Sequence, residues 1–169
     1  MWLVYSQAAQ IVAQQEIGLQ LPSSASACEA MLHEKYGVDD SRLRVFGQNQ
    51  WSAPCASGTH VADAMVVCPA TMGAVAAIGH GTSDHLLERA ADVSIKEGRP
   101  LIIVPREAPF SAIHLENLLK LARLGVCVLP PSPGFYQHPK TVDDIVDFVV
   151  ARILDQLRIP HDLLPRWGE

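Results

Sequence analysis

Three short runs of apolar, largely β-branched residues, Ala64-Met65-Val66-Val67, Leu101-Ile102-Ile103-Val104 and Val126-Cys127-Val128-Leu129, alternate with stretches of helical periodicity. That alternation constrains the chain most, because it is the signature of βαβ units and a parallel sheet. Strands without a polar face need cover on both sides, so helices must layer the sheet. Trp2-Leu3-Val4-Tyr5 and Arg44-Val45-Phe46 read as two further short strands. The expected fold class is α/β: an open, doubly wound, mostly parallel sheet in three layers. Its ligand would lie beyond the carboxyl ends of the strands.

The helices announce themselves by their ends. Ser6 caps a helix from Gln7 towards Glu16, and Gly37 closes one from Ser26 to Tyr36. Ser83 or Asp84 caps a helix to Lys96, stopped by Gly98 and Pro100, and a helix from Ala112 to Leu124 ends at Gly125. Thr141 with Asp144 approximates a capping box, and Val142, Ile145, Val146, Val149 and Ile153 then recur on one face as far as Leu157. Between these last two helices runs the stiff loop Pro130-Pro131-Ser132-Pro133-Gly134-Phe135-Tyr136, and the tail from Pro160 to Glu169 reads as extended.

Composition narrows the function. A chain of 169 residues, 49% hydrophobic, makes one packed domain, 1–169. Thirteen Lys and Arg against eighteen Asp and Glu leave a net charge of −5, which disfavours nucleic acid as a partner. The four cysteines have neither metal-ligand nor disulfide-framework spacing and read as reduced intracellular thiols. Met1-Trp2-Leu3-Val4-Tyr5 turns polar at Ser6 and Gln7, far short of a membrane span, so a soluble cytoplasmic protein is expected.

Unusual residues cluster at three strand ends. Cys68-Pro69-Ala70-Thr71 leads into a segment rich in glycine and alanine, a turn whose amides and helix dipole suit an anion. The same small residues would equally serve close helix packing. Arg106 and Glu107 are pinned between Pro105 and Pro109, where they could bind an anion and transfer a proton or simply form a salt bridge. His85, Arg89, Asp92 and Lys96 share one helical stripe, opposite Leu86, Ala90 and Val93, and Arg152 lies at the rim of an apolar stripe beside Phe148. The histidines have no common spacing and read as surface or capping residues.

Pro105-Arg106-Glu107-Ala108-Pro109-Phe110-Ser111, continuing through Ile113-His114-Leu115-Glu116-Asn117, resembles the flavin prenyltransferases of the UbiX type. So do Gln48-Asn49-Gln50-Trp51, Pro54-Cys55-Ala56-Ser57-Gly58, Glu88-Arg89-Ala90-Ala91-Asp92-Val93, Pro133-Gly134-Phe135-Tyr136 and Leu164-Pro165-Arg166-Trp167-Gly168-Glu169, over about residues 2–169. The resemblance implies a Rossmann- or flavodoxin-like fold and the joining of reduced FMN to the five-carbon unit of dimethylallyl phosphate. No metal is implied. Ser6, Thr71, Met72, Gly73, Ala74 and Arg106 would hold FMN, while Lys96, Tyr136 and Arg152 would hold dimethylallyl phosphate. Glu107, Lys96 and Arg89 would be the catalytic polar groups, with Trp51 and Trp167 as walls. The product would serve a UbiD-type decarboxylase, in ubiquinone biosynthesis or aromatic acid decarboxylation, and the enzyme would be a homo-oligomer with sites at subunit interfaces.

Two departures bear on that picture. The family's first strand, its Gly-Ala-Ser-Gly loop and the following helix have no counterpart here, so the sheet is expected to lack a central strand and part of a phosphate site. Ala70-Thr71-Met72 stands where the family favours Cys-Ser-Thr types, although Thr71 keeps a hydroxyl. Two alternatives follow: a non-catalytic FMN-binding or assembly module, and an enzyme like the flavin-dependent cysteine decarboxylases.

Overall fold

The computed structural model describes residues 1–165. In chain order its strands are β1 (Trp2–Val4), β2 (Arg44–Phe46), β3 (Met65–Ala70), β4 (Leu101–Pro105) and β5 (Cys127–Val128). The helices are α1 (Gln7–Ile17), α2 (Ala25–Tyr36), α3 (Met72–His80), α4 (Leu86–Lys96), α5 (Ala112–Arg123) and α6 (Val142–Leu157). All strand pairs are parallel, in two sheets: β1 with β2, and β3-β4-β5 with β4 central. The sheets belong to two compact units, one of Met1–Val61 with Ser83–Val93, the other of Ala62–Thr82 with the chain from Ser94 on. The α/β class and parallel pairing expected from the sequence are present, with two sheets in place of one continuous sheet.

In the first unit, Trp2 registers with Arg44, Leu3 with Val45 and Val4 with Phe46. The α2 helix covers β2, burying Cys28 and Leu32 against Leu43 and Val45, with Leu3 and Tyr5 packed beside them. Polar ties fix the edges of this core: the Val45 N–H donates to the Glu29 carboxylate at 2.6 Å and the Tyr5 hydroxyl donates to the Pro22 carbonyl at 2.5 Å. Ser6 caps α1 as its position predicts, its Oγ accepting from the Ala9 N–H at 3.1 Å.

In the second unit, all five residues of β4 are buried, as its wholly apolar sequence requires. The pairing of β3 with β4 runs from Met65–Leu101 to Val67–Ile103, breaks, and resumes at Ala70–Pro105. Thus β3 does not stop at Cys68-Pro69 but continues through it. Proline lacks an N–H, and the strand passes it by an irregularity in register. The Cys68–Pro69 and Ala108–Pro109 peptides are cis.

Helix ends follow the capping signals closely. Thr71 caps α3, Gly37 and Gly81 end α2 and α3 in the left-handed conformation, and Thr141 and Asp144 form a reciprocal capping box on α6. His114 completes a second capping box with Ser111 on α5, which bears out the capping role for one histidine. The outcome for α6 differs from its periodicity. Ala151 is its fully buried residue, while Val142, Val146 and Val150 on the apolar side are 74, 52 and 37% exposed. The small Ala151 lets the helix approach its own unit; of the predicted stripe, Ile145, Val149 and Ile153 are half-buried, while Val142 and Val146 stay outward within one chain. No helix among the described residues is long and apolar enough to cross a membrane.

The buried edge of the first unit is sensitive to alkali. Burial, reinforced by the Cys28 thiol, pushes the Tyr5 phenol up to about 12. Its neutral form is the one the fold holds, so this contribution is complete below the ordinary phenol range and is lost as pH rises through about 12. Tyr5→Phe should destabilise the chain by about 0.5–1.5 kcal/mol near neutrality. The same variant should show a shallower loss of stability between about pH 10 and about pH 12 in urea unfolding.

Candidate functional site

At the carboxyl ends of β3 and β4 two loops are joined by one main-chain bond: the Arg106 N–H donates to the Ala70 carbonyl at 3.1 Å. This bond sets the Pro105–Pro109 turn beside the Thr71 turn. The Thr71 side chain accepts from the Ala74 N–H at 3.2 Å, leaving the first-turn amides of Met72 and Gly73 directed out of the helix end. A Cβ on Gly73 would meet only Thr71 Oγ1, at 3.9 Å, so the approach to this turn is open. At the other end of α3, a Cβ on Gly79 would contact the Asn117 carbonyl at 3.8 Å on α5. The small-residue segment therefore serves helix packing at Gly79 and leaves the amino end of α3 uncrowded at Gly73.

Arg106 and Glu107 are both exposed at this strand end. Glu107 accepts the Ala108 N–H at 3.1 Å, which folds its carboxylate onto its own loop. Beyond the loop, the Ser111–His114 box starts α5, so the pair is anchored by a strand on one side and a capped helix on the other.

A second cluster forms around α6. The loop of prolines ends in one 3₁₀ turn, Phe135–Gln137, and the Tyr136 ring stands edge-on to Phe148 with centroids 6.1 Å apart at 84°. Arg152 lies one helical turn beyond Phe148 and is paired with Asp155 at 2.5 Å, while Asp155 also takes His161 at 3.1 Å. Tyr136 thus packs on the turn of α6 that precedes Arg152. An open cleft of about 560 Å³ adjoins it, lined by Phe135, His138, Lys140, Val142 and Ile145.

Lys96 is placed elsewhere. It ends α4 and pairs with Glu97, five residues ahead of Leu101, at the amino end of β4. Arg106 follows the opposite end of that strand, about 13 Å away at ~3.3 Å per residue. A single chain does not bring Lys96 to Arg106.

In the first unit, Arg89 donates from Nε to the Ala56 carbonyl at 3.0 Å and from an Nη to Asp92 at 2.7 Å. It ties α4 to the two 3₁₀ turns Pro54–Ala56 and Gly58–His60. Those turns and the half-exposed Trp51 line a cleft of about 370 Å³ that also includes Ser57 and His60. Trp167 lies outside the described residues. The partners that the sequence reading did not pick out are Asp155 and Gly134. Asp155 had a readable signal, an acid three residues after an arginine, the spacing that also joins Arg89 to Asp92.

Comparison with known proteins follows this geometry. A family model described as Flavoprotein matches residues 1–154. Flavin prenyltransferase UbiX of Pseudomonas aeruginosa is 56% identical over 164 residues, covering 97% of this chain and 78% of that protein. The flavin prenyltransferase UbiX of Methanocaldococcus jannaschii is 42% identical, covering 90% and 84%. Among solved structures, a dodecameric FMN-dependent UbiX-like decarboxylase from Escherichia coli O157:H7 has a TM-score of 0.84 at 43% identity, covering 99% of this chain and 83% of that one. A structure of AnUbiX (PadA1) in complex with FMN and dimethylallyl pyrophosphate has a TM-score of 0.86 at 35% identity, covering 99% and 82%. The FMN-dependent cysteine decarboxylase TvaF, at 18% identity and a TM-score of 0.56, is similar in fold alone.

Arg89 provides a direct test of the first unit. Replacing it with Ala should cost about 1 kcal/mol, the worth of charge-assisted bonds discounted for partial exposure. Amide exchange should accelerate at residues 56–60 and not in α2; unchanged exchange there would show that Arg89 does not hold the loop.

Proposed function

Because this chain belongs to the flavin prenyltransferase UbiX family, we propose that it joins the dimethylallyl group of dimethylallyl phosphate to reduced FMN. The observation that carries this reading is the two-part polar assembly of the second unit. The Thr71 turn and Arg106 lie side by side at one sheet end, where they would bind an anion, and Tyr136 packs on Phe148 one helical turn before Arg152, where phenol and guanidinium would serve one phosphate.

The cradle fits a flavin phosphate. First-turn amides of α3 and the positive helix end favour an anion, and Gly73 leaves the approach clear. Met72 and Ala74 would contribute from the same turn, and Arg106 would add the charge. Reduced FMN supplies, when bound, the electron-rich ring that accepts the allyl carbon. Ser6, Trp51 and Trp167 carry their assignments to cofactor and substrate from the family resemblance.

Breaking the allylic C–O bond leaves charge on phosphate. A cation about 4 Å from it contributes on the order of 4 kcal/mol at an effective dielectric of about 20. Arg152 and Lys96 would hold that phosphate, with Arg89 completing the polar set, so positive side chains perform the task a metal ion performs elsewhere. Tyr136 would donate its phenol hydrogen bond to the leaving oxygen. Glu107, held on its loop by the Ala108 N–H, would hold or move the proton that this departure requires.

The dodecameric relative supports a homo-oligomer with sites at subunit interfaces, where a second copy would deliver Lys96. Prenylated FMN would then pass to a UbiD-type decarboxylase.

The decisive experiment incubates the purified chain with reduced FMN and dimethylallyl phosphate. The flavin should gain the mass of one dimethylallyl unit, and Arg152→Gln should slow that gain by about 10²-fold, the size of effect of losing one charge-stabilising donor. A folded, FMN-bound sample whose flavin mass stays constant overturns the reading in favour of a binding module.

A further inference from the structure

We infer that Gly134 is a positioning residue for the phenol of Tyr136: the missing side chain at Gly134 makes the room in which the Tyr136 ring lies edge-on against Phe148. This rests on the reading above, in which Tyr136 holds the dimethylallyl phosphate.

The backbone does not demand glycine here. Gly134 has φ −89° and ψ 101°, a conformation open to any L residue. Space demands it. A Cβ at Gly134 would overlap the edge of the Tyr136 ring and come within 2.9 and 3.0 Å of two Phe148 ring atoms. Ordinary carbon contacts lie at about 3.5–4.0 Å. Gly18, Gly37, Gly81, Gly98 and Gly125 differ in kind, since each has a positive φ and no atom within 4 Å of a built Cβ.

The two rings are not equally able to yield. Phe148 is partly buried in the middle of the sixteen-residue α6, whereas Tyr136 is 54% exposed on a single 3₁₀ turn. A methyl group at 134 would therefore push the tyrosine outward. The phenol would move relative to Arg152, one turn beyond Phe148, and a misplacement of about 1 Å can cost about 10²-fold in rate. Little stability would be lost, because the displaced ring is already half in solvent.

Three proteins test this: Gly134→Ala, Phe148→Leu, and the two combined, each assayed as the full chain with FMN. Gly134→Ala should raise KM for dimethylallyl phosphate at least tenfold while FMN affinity stays at the wild-type value. Adding Phe148→Leu, which removes one of the two clashing rings, should recover part of that loss. In parallel, the protein is labelled with 3-fluorotyrosine. Of its three tyrosines, Tyr136 is assigned by the resonance lost in Tyr136→Phe. That fluorine resonance should move in both Gly134→Ala and Phe148→Leu, so the ring contact is tested even where one variant folds poorly. An unmoved resonance, or a moved one with wild-type KM and kcat, overturns the inference. A wild-type protein that forms no adduct overturns the enzyme reading instead, and the fluorine signal still decides whether Gly134 places the ring.

Discussion

The parallel pairing of β3 with β4 sets the place of everything that follows them. Its last step is the hydrogen bond from the Arg106 N–H to the Ala70 carbonyl, one residue past the end of β4. Since the strands run the same way, both deliver their following turns to the same end of the sheet. The Thr71 cradle and the Arg106-Glu107 pair are thus neighbours as a consequence of pairing direction, with no side-chain contact needed to join them. The full burial of β4 anchors that arrangement, and its wholly apolar sequence is the reason it can be buried on both faces.

Elements governed by local chemistry were legible in the sequence. Arg44–Phe46 appears with the expected bounds, and the caps at Ser6 and Thr141 fall where their side chains can accept from a first-turn amide. Legibility failed where a distant partner decided the outcome. Nothing local to Cys68-Pro69 shows that β3 resumes pairing beyond the proline, because its partner at Ala70 is Pro105, 35 positions on. The 3₁₀ turn at Phe135–Gln137 is likewise hidden, being too short for a periodicity and held by the contact between Tyr136 and Phe148. The α6 stripe illustrates a further limit: period reveals that a face is apolar but not what covers it.

The candidate site was legible as a set of residues more than as an arrangement. Thr71, Arg106 and Glu107 could be grouped because they follow strands that a parallel sheet must align. Tyr136 packs on Phe148, a residue with no chemistry of its own, one helical turn before Arg152, so its approach to α6 had no signal in residue type. Lys96 shared a helical stripe with Arg89 in the sequence, yet α4 ends beside the amino end of β4, and that direction separates Lys96 from the opposite pole of the sheet.

Each cation assigned to the dimethylallyl phosphate site already has a carboxylate nearby: Asp92 for Arg89, Asp155 for Arg152 and Glu97 for Lys96. The Lys96 ammonium holds the Glu97 carboxyl below its ordinary range, so that acid is ionised throughout the physiological window. Pairs this exposed are worth about 0–1 kcal/mol, because solvent screens them and ordering two long side chains opposes them. On the proposed reading an incoming phosphate would displace a weak partner at small cost. Until it arrives, the acid restricts where the cation can point, which lowers the entropy lost on binding. On the proposed reading the paired acids at these three positions would act as placeholders, weak enough to hold the cations and still leave them available.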